Sequence, residues 1–251
     1  MALIKTSNPA LNAQSFQNVS TAFGEEAMTL PGTVNKTGIL LLCTMVTAAW
    51  SWYSFVHAPT AETVFPLLII GALGGFVMAM VTIFKKEWSP VTAPVYALLE
   101  GLVLGGLSAL LELRFPGIAM QAVALTFGTL IVMLLAYSSG LIKATERFKL
   151  GVVAATGGIA VFYLITMLLG FFGVHMFASV YAAGPIGIGF SVFVVIIAAL
   201  NLVLDFDFIE NGVRAGAPKY MEWYGAFGLM VTLIWLYLEI LRLLSKLRSR
   251  R

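Results

Sequence analysis

Between Leu150 and Leu204 the chain carries no Asp, Glu, Lys or Arg for 55 residues, and Asp205 then closes the run. A stretch of that length cannot make a water-facing surface. It suffices for two helical membrane crossings at roughly 20 apolar residues each. Composition extends the point to the whole chain, which is 60% hydrophobic and 11% charged with a mean hydropathy of +0.95. A soluble domain carries roughly 25% charged residues. Lipid is therefore the expected solvent, and an acid kept at its edge is a functional-site hypothesis by default.

Apolar runs of crossing length predict an all-α polytopic fold, with six spans at 37–57, 62–84, 91–113, 118–142, 150–172 and 184–209. A seventh is expected at 222–244. Its charge-free core, Trp223–Leu238, holds only sixteen residues, so a short, tilted or re-entrant segment stays open beside a full crossing. Seven full spans is the favoured reading. It divides the chain into a flexible N-terminal tail (1–36), a membrane domain (37–245) and a basic C-terminal tail (246–251). The tail before Lys36 is polar, so no cleavable signal peptide is expected.

The connections between spans two and three, four and five, and six and seven carry seven Lys or Arg residues: Lys85, Lys86, Lys143, Arg147, Lys149, Arg214 and Lys219. The alternate connections carry only Arg114. The positive-inside rule then puts the basic loops and the N-terminal tail in the cytoplasm. Placed this way, the basic charge sets topology rather than binding nucleic acid. Arg242, Lys246, Arg248, Arg250 and Arg251 oppose the assignment, because seven spans send that tail outside. Gly71 with Gly75, and Gly101 with Gly105, form GxxxG pairs suited to close helix approach. The Gly184-Pro185-Ile-Gly187-Ile-Gly189 opening of span six should make its outer end bendable. No internal repeat of the kind seen in many secondary transporters is evident. Cys43, the single cysteine, reads as a small packed hydrophobe.

The C-terminal third resembles the Bax inhibitor-1 (transmembrane Bax inhibitor motif) family. Leu204-Asp205-Phe206-Asp207 is similar to the family's Phe-Asp-Thr-Gln-like end of the sixth span. Ala226-Phe-Gly228-Leu-Met-Val-Thr232, running on to Glu239-Ile-Leu-Arg242, aligns without a gap with its last span. Gly101-Leu102-Val-Leu104 looks like another family segment, and Ser7-Asn8-Pro9-Ala10-Leu11 is similar to a bacterial subgroup. The resemblance implies a seven-helix bundle with the last helix central. It also implies a cation pathway, often described for calcium, gated by two aspartates that share a proton. The first carries over to Asp205; the second position holds Thr232, which cannot titrate.

Other acids are candidates on physical grounds. Glu100 lies near the middle of span three, where it needs a partner, a hydrated cavity or a proton. Asn201 precedes Asp205 by one helical turn, so amide and carboxylate could weakly coordinate a cation or share a proton. No dedicated metal site is expected. Asp207 projects to another face and, with Glu210, could simply mark the interface. Glu239 falls two turns beyond Thr232, toward the outer side, and could pair with Arg242 or Lys246. Acids from different helices that meet in low dielectric titrate as a coupled unit, which is the physics of a proton-gated path.

Enzyme readings find little support. His57 and His175 lie at span ends without a metal-ligand cluster. Ser108 and Ser191 lack a nucleophile elbow, and no phosphate or dinucleotide loop appears. Trp52, Tyr53, Trp88, Trp223 and Tyr224 fall near span ends, as interfacial aromatics do. The expectation is a non-enzymatic, cofactor-free membrane protein whose partners are the lipid bilayer and cations such as Ca²⁺ or H⁺. It would act as a pH-sensitive cation leak channel. The alternative is a non-conducting regulator of a membrane protease or other membrane protein, using the GxxxG faces and the basic tail. A proton-coupled transporter ranks third, for want of a repeat.

Overall fold

A computed structural model describes residues 26–57, 65–174 and 177–250. Its helices are α1 (Leu30–His57), α2 (Phe65–Phe84), α3 (Ser89–Arg114), α4 (Ile118–Ser138), α5 (Glu146–Phe171), the short α6 (Ala178–Tyr181), α7 (Pro185–Arg214) and α8 (Met221–Ser249). Seven of them are long and apolar enough to cross a membrane. The fold is an all-α polytopic bundle in which α7 and α8 are the sixth and seventh spans. His175 lies outside the described residues.

The seventh span is a complete helix. Glu239, Arg242 and Lys246 interrupt its apolar run, yet each finds partners inside the bundle, so the helix continues to Ser249. The helical part therefore exceeds the expected 222–244, and Lys246 belongs to α8 rather than to a tail. At the other terminus, α1 begins at Leu30 instead of residue 37. Thr29 caps it: the Thr29 hydroxyl accepts from the Gly32 N–H, a bond that satisfies an otherwise orphaned first-turn donor. Thr33, Asn35 and Lys36 hide this start from a reading based on hydrocarbon length.

Helix α8 is the core. It packs against α1, α3, α4 and α7, and Tyr224, Phe227, Met230 and Leu236 along it are fully buried. The outer helices show lipid-facing apolar side chains, such as Ile69, Phe76, Val132 and Leu164. Lipid tails are as apolar as leucine, so close backbone packing must replace hydrophobic drive between helices. A Cβ added at Gly101 would collide with Thr47 Oγ1 and the Thr44 carbonyl of α1, and one at Gly105 with the Ala48 carbonyl. Gly71 and Gly75 of α2 press on α3 at Leu99 and Glu100. Both GxxxG pairs are thus consumed inside the bundle, which leaves neither as a free docking face. Hydroxyls reinforce the α1–α3 seam: Thr44 donates to the Ala97 carbonyl and Ser51 to the Leu102 carbonyl at 2.8 Å.

One end of the bundle gathers the start of α1 and the α2–α3, α4–α5 and α7–α8 connections. There Met28 N–H donates to the Ala217 carbonyl at 2.7 Å, and the Ser89 hydroxyl to the Tyr220 carbonyl. The opposite end holds the α3–α4 turn, α6 and the last turn of α8, where Arg248 donates to the Pro116 carbonyl and to Gln121 Oε1.

Candidate functional site

Three of the polar residues singled out from sequence share one depth. At 1.5 Å per residue, Asp205 lies about 14 Å above the end of α7, Thr232 about 16 Å above the start of α8, and Glu100 about 16 Å above the start of α3. All three helix ends meet at the same face of the bundle. Asn201 stands one turn further up α7. The layer lies within the apolar length of all three spans, where each polar group is costly.

Burial separates the members. Asp205 is fully buried in the α7–α8 core, and Asn201 and Thr232 are buried beside it. Asn201 Nδ2 donates to Thr156 Oγ1 of α5 and to the Ile197 carbonyl, both at 2.8 Å. Those bonds fix the amide, and the Asp205 carboxylate follows it on the same helical face. Glu100 is half-buried. It lies between Tyr96 and Leu104 on a ridge of α3 that also carries Ser108, and Tyr96 and Ser108 meet Phe227 and Tyr237 of α8. Its nearest glycine is on α2, where a Cβ at Gly75 would come within 2.8 Å of Glu100 Oε1. The carboxylate forms no hydrogen bond or ion pair among the described residues. Asp205 and Glu100 thus share a level but lie against different neighbours: Asp205 in the α7–α8 core, Glu100 in the α2–α3 seam.

Asp207, Glu210 and Glu239 are held by structural partners. Asp207 forms an ion pair with buried Lys149 of α5 at 2.8 Å and accepts from Asn211. Glu210 takes bonds from Tyr137 and Arg214. Glu239 accepts from Tyr163 of α5 at 3.0 Å and pairs with Arg242, its i+3 neighbour, at 2.9 Å. Of the two partners open to Glu239 from sequence, Lys246 goes elsewhere: to the Val180 and Gly187 carbonyls and the Ser191 hydroxyl. His57 stacks on Tyr53 and sits at the Tyr53 carbonyl. Ser108 shares a buried 2.6 Å bond with Tyr237.

Sequence reasoning missed Glu222, which is fully buried at the first turn of α8. Its Oε1 accepts from both the N–H and the hydroxyl of Thr29, at 3.0 and 2.8 Å, and meets Lys219 at 3.2 Å. Gly32 makes room for it, since a Cβ there would overlap the carboxylate. The hydrogen bond to Glu222, with the neighbouring Glu26, raises the Lys219 pKa above its ordinary value. The Lys219–Glu222 i+3 spacing was the one available signal. Thr29, 193 positions away in sequence, gave none.

Comparison with known proteins places residues 8–249 on the family model described as Bax inhibitor 1 like. No curated protein and no solved structure gives a match.

Proposed function

From the premise that this chain belongs to the Bax inhibitor 1 like family, we propose that it is a pH-sensitive cation leak channel. Calcium is the proposed permeant ion, and membrane-embedded carboxylates are the proposed gate. The observation that carries this reading is the layer of Asp205, Asn201, Thr232 and Glu100 at one depth in the bundle. In this reading Asp205 is the titrating member on the α7–α8 side. Thr232 supplies a hydroxyl where a second aspartate would stand in relatives. Asn201, pinned by Thr156, orients the face, and Glu100 is the second acid. An ionised carboxylate is costly at this depth. Protonation favours a closed, packed arrangement, and loss of the proton favours separation or entry of a cation with a preference for oxygen ligands.

The protein is proposed to sit in a bacterial plasma membrane with the Lys85, Lys149 and Lys219 end cytoplasmic, in keeping with the positive-inside rule. The test is cation flux from purified protein in liposomes across a pH series. Asp205→Asn should abolish the pH dependence. Unchanged pH-dependent flux in that variant would move the gate elsewhere.

A second reading, a non-conducting regulator of a membrane protein, draws on the same matched acids, since Asp207, Glu210 and Glu239 act as structural ties. Absence of flux at every pH from correctly folded protein would favour it. Its partner surface would have to lie outside the GxxxG seams.

A further inference from the structure

At the end of the bundle opposite the α7–α8 connection, the ammonium of Lys246 is buried, with 6% of the residue exposed. Its three donors have three acceptors: the Val180 carbonyl at 2.8 Å, the Gly187 carbonyl at 3.0 Å and the Ser191 hydroxyl at 2.8 Å. Every one of these oxygens is neutral. The nearest acid on the same helix, Glu239, is engaged with Arg242 and Tyr163. A buried charge normally demands a paired opposite charge. Among the described residues, neutral oxygens take all of its hydrogen bonds.

The chain builds this cradle deliberately. The carbonyls of Ser179, Val180 and Ala182 converge on Gly187, where a Cβ would lie 3.1 Å from the first, 2.9 Å from the second and closer still to the third. Only glycine lets the α6 turn drop its carbonyl end onto the first turn of α7. The Val180 carbonyl belongs to the last turn of α6, where carbonyls have no intrahelical donor, whereas Gly187 contributes the second lone pair of a first-turn carbonyl of α7. Unwound carbonyls and helix C-termini are the groups that coordinate monovalent cations at mid-membrane sites of transporters. We propose that the oxygens of Val180, Gly187 and Ser191 form a monovalent-cation site, and that the Lys246 ammonium is its tethered occupant. The site takes ammonium-sized ions and exists whether or not the bundle conducts.

The experiment is chemical rescue of the full chain, purified in detergent. Lys246→Ala removes the occupant and leaves the oxygens. Titration with ammonium or methylammonium chloride should raise the variant's unfolding midpoint saturably. At tenfold over the dissociation constant one site gives a rise of about 3–5 °C. Choline chloride at equal ionic strength should give no such rise, the native chain should not respond, and adding Ser191→Ala should weaken the rescue. Equal responses of variant and native chain to all three salts would overturn the proposal. Should Lys246→Ala fail to fold, amine acylation of the native chain decides. Lys246 should react at least tenfold more slowly than exposed Lys143, and Ser191→Ala should relieve that protection. Labelling of Lys246 at the Lys143 rate would overturn the cradle.

Discussion

Lys149 and Asp207 meet at 2.8 Å across the seam between α5 and α7, and the same face of α5 repeats the arrangement upward. Seven residues on, Thr156 accepts from Asn201; seven further, Tyr163 donates to Glu239 and accepts from Arg242. Seven residues are close to two helical turns, so the three groups stand in one stripe. Helix α5 is otherwise largely turned to lipid, with Val152 and Ile159 its buried apolar residues. A helix in that position gains little from leaving lipid for protein, so polar bonds and packing must dock it. The stripe also ties α5 to Asn201, the neighbour of Asp205.

Removing one partner of the Lys149–Asp207 pair should be costly. Lys149→Met leaves Asp207 with Asn211 as its hydrogen-bond donor among the described residues, and should destabilise the bundle by about 3 kcal/mol, the lower end of the range for broken buried pairs, because Asp207 keeps 18% of its side chain exposed. The double variant Lys149→Met with Asp207→Leu should lose less than Lys149→Met alone. Unfolding in denaturing detergent, followed by helical circular dichroism, measures both. Equal losses would show that the pair adds nothing beyond packing.

The upper rungs should be weaker singly. A double-mutant cycle between Thr156→Val and Asn201→Leu is expected to give a coupling of about 0.6 kcal/mol, the typical size for interhelical hydrogen bonds in membranes. If α5 also sets the Asn201 amide for Asp205, Thr156→Val should shift the pH midpoint of flux while leaving the helix content unchanged.

Glycine positions separate into two classes that a stability series can tell apart. Gly105→Ala forces a methyl onto the Ala48 carbonyl, so α1 and α3 must part, with an expected loss of about 2 kcal/mol or more. Gly158→Ala, with nothing within 4 Å of the new Cβ, should stabilise α5 by about 0.5–1 kcal/mol. Similar effects at both positions would contradict the packing.

Much of this was legible in the sequence. The spans follow from apolar length, and the Gly101/Gly105 spacing announced a close helix contact. The heptad of Lys149, Thr156 and Tyr163 was also there, but a cation, a hydroxyl and a phenol do not look like one stripe until their partners are known. Backbone carbonyls leave no side-chain signature, so the site of Lys246 and the Arg248–Pro116 bond could not be read in advance. Glu222 stands at the first position of the expected seventh span, with no sequence sign of burial. Its burial comes from Gly32 and Thr29, brought to it only when α1 docks beside α8. At Thr232 the departure from the family pattern was visible, and the structure adds its burial next to the Asp205 level.

Lys219 gives an alkaline prediction with a definite sign. Its folded pKa is raised, chiefly by the hydrogen bond to Glu222. A lysine raised on folding contributes stability that is full below the unfolded value, about 10.4, and is lost as pH climbs through the folded value. Stability should therefore decline above about pH 10.4. Glu222→Gln keeps an acceptor for Thr29 but removes the charge, so its difference from the native chain should shrink over the same alkaline range. A constant difference up to the highest pH measured would mean that the Lys219–Glu222 contact carries no charge-dependent stability.

The basic end of α8 predicts a topology that charge counting alone leaves contested. Lys246 and Arg248 are bound to the Val180, Gly187 and Pro116 carbonyls, at the end of the bundle away from Lys85, Lys149 and Lys219. Their charges are held by the fold there and need no cytoplasmic location. A reporter fused after Ser249 should therefore register on the side opposite a reporter inserted beside Lys86. Lys246→Gln together with Arg248→Gln should leave both readouts unchanged, because the connections at the other end keep their seven basic residues. Reporters on the same side would mean that α8 turns back within the membrane, and the cradle around Lys246 would then have to form at the cytoplasmic face.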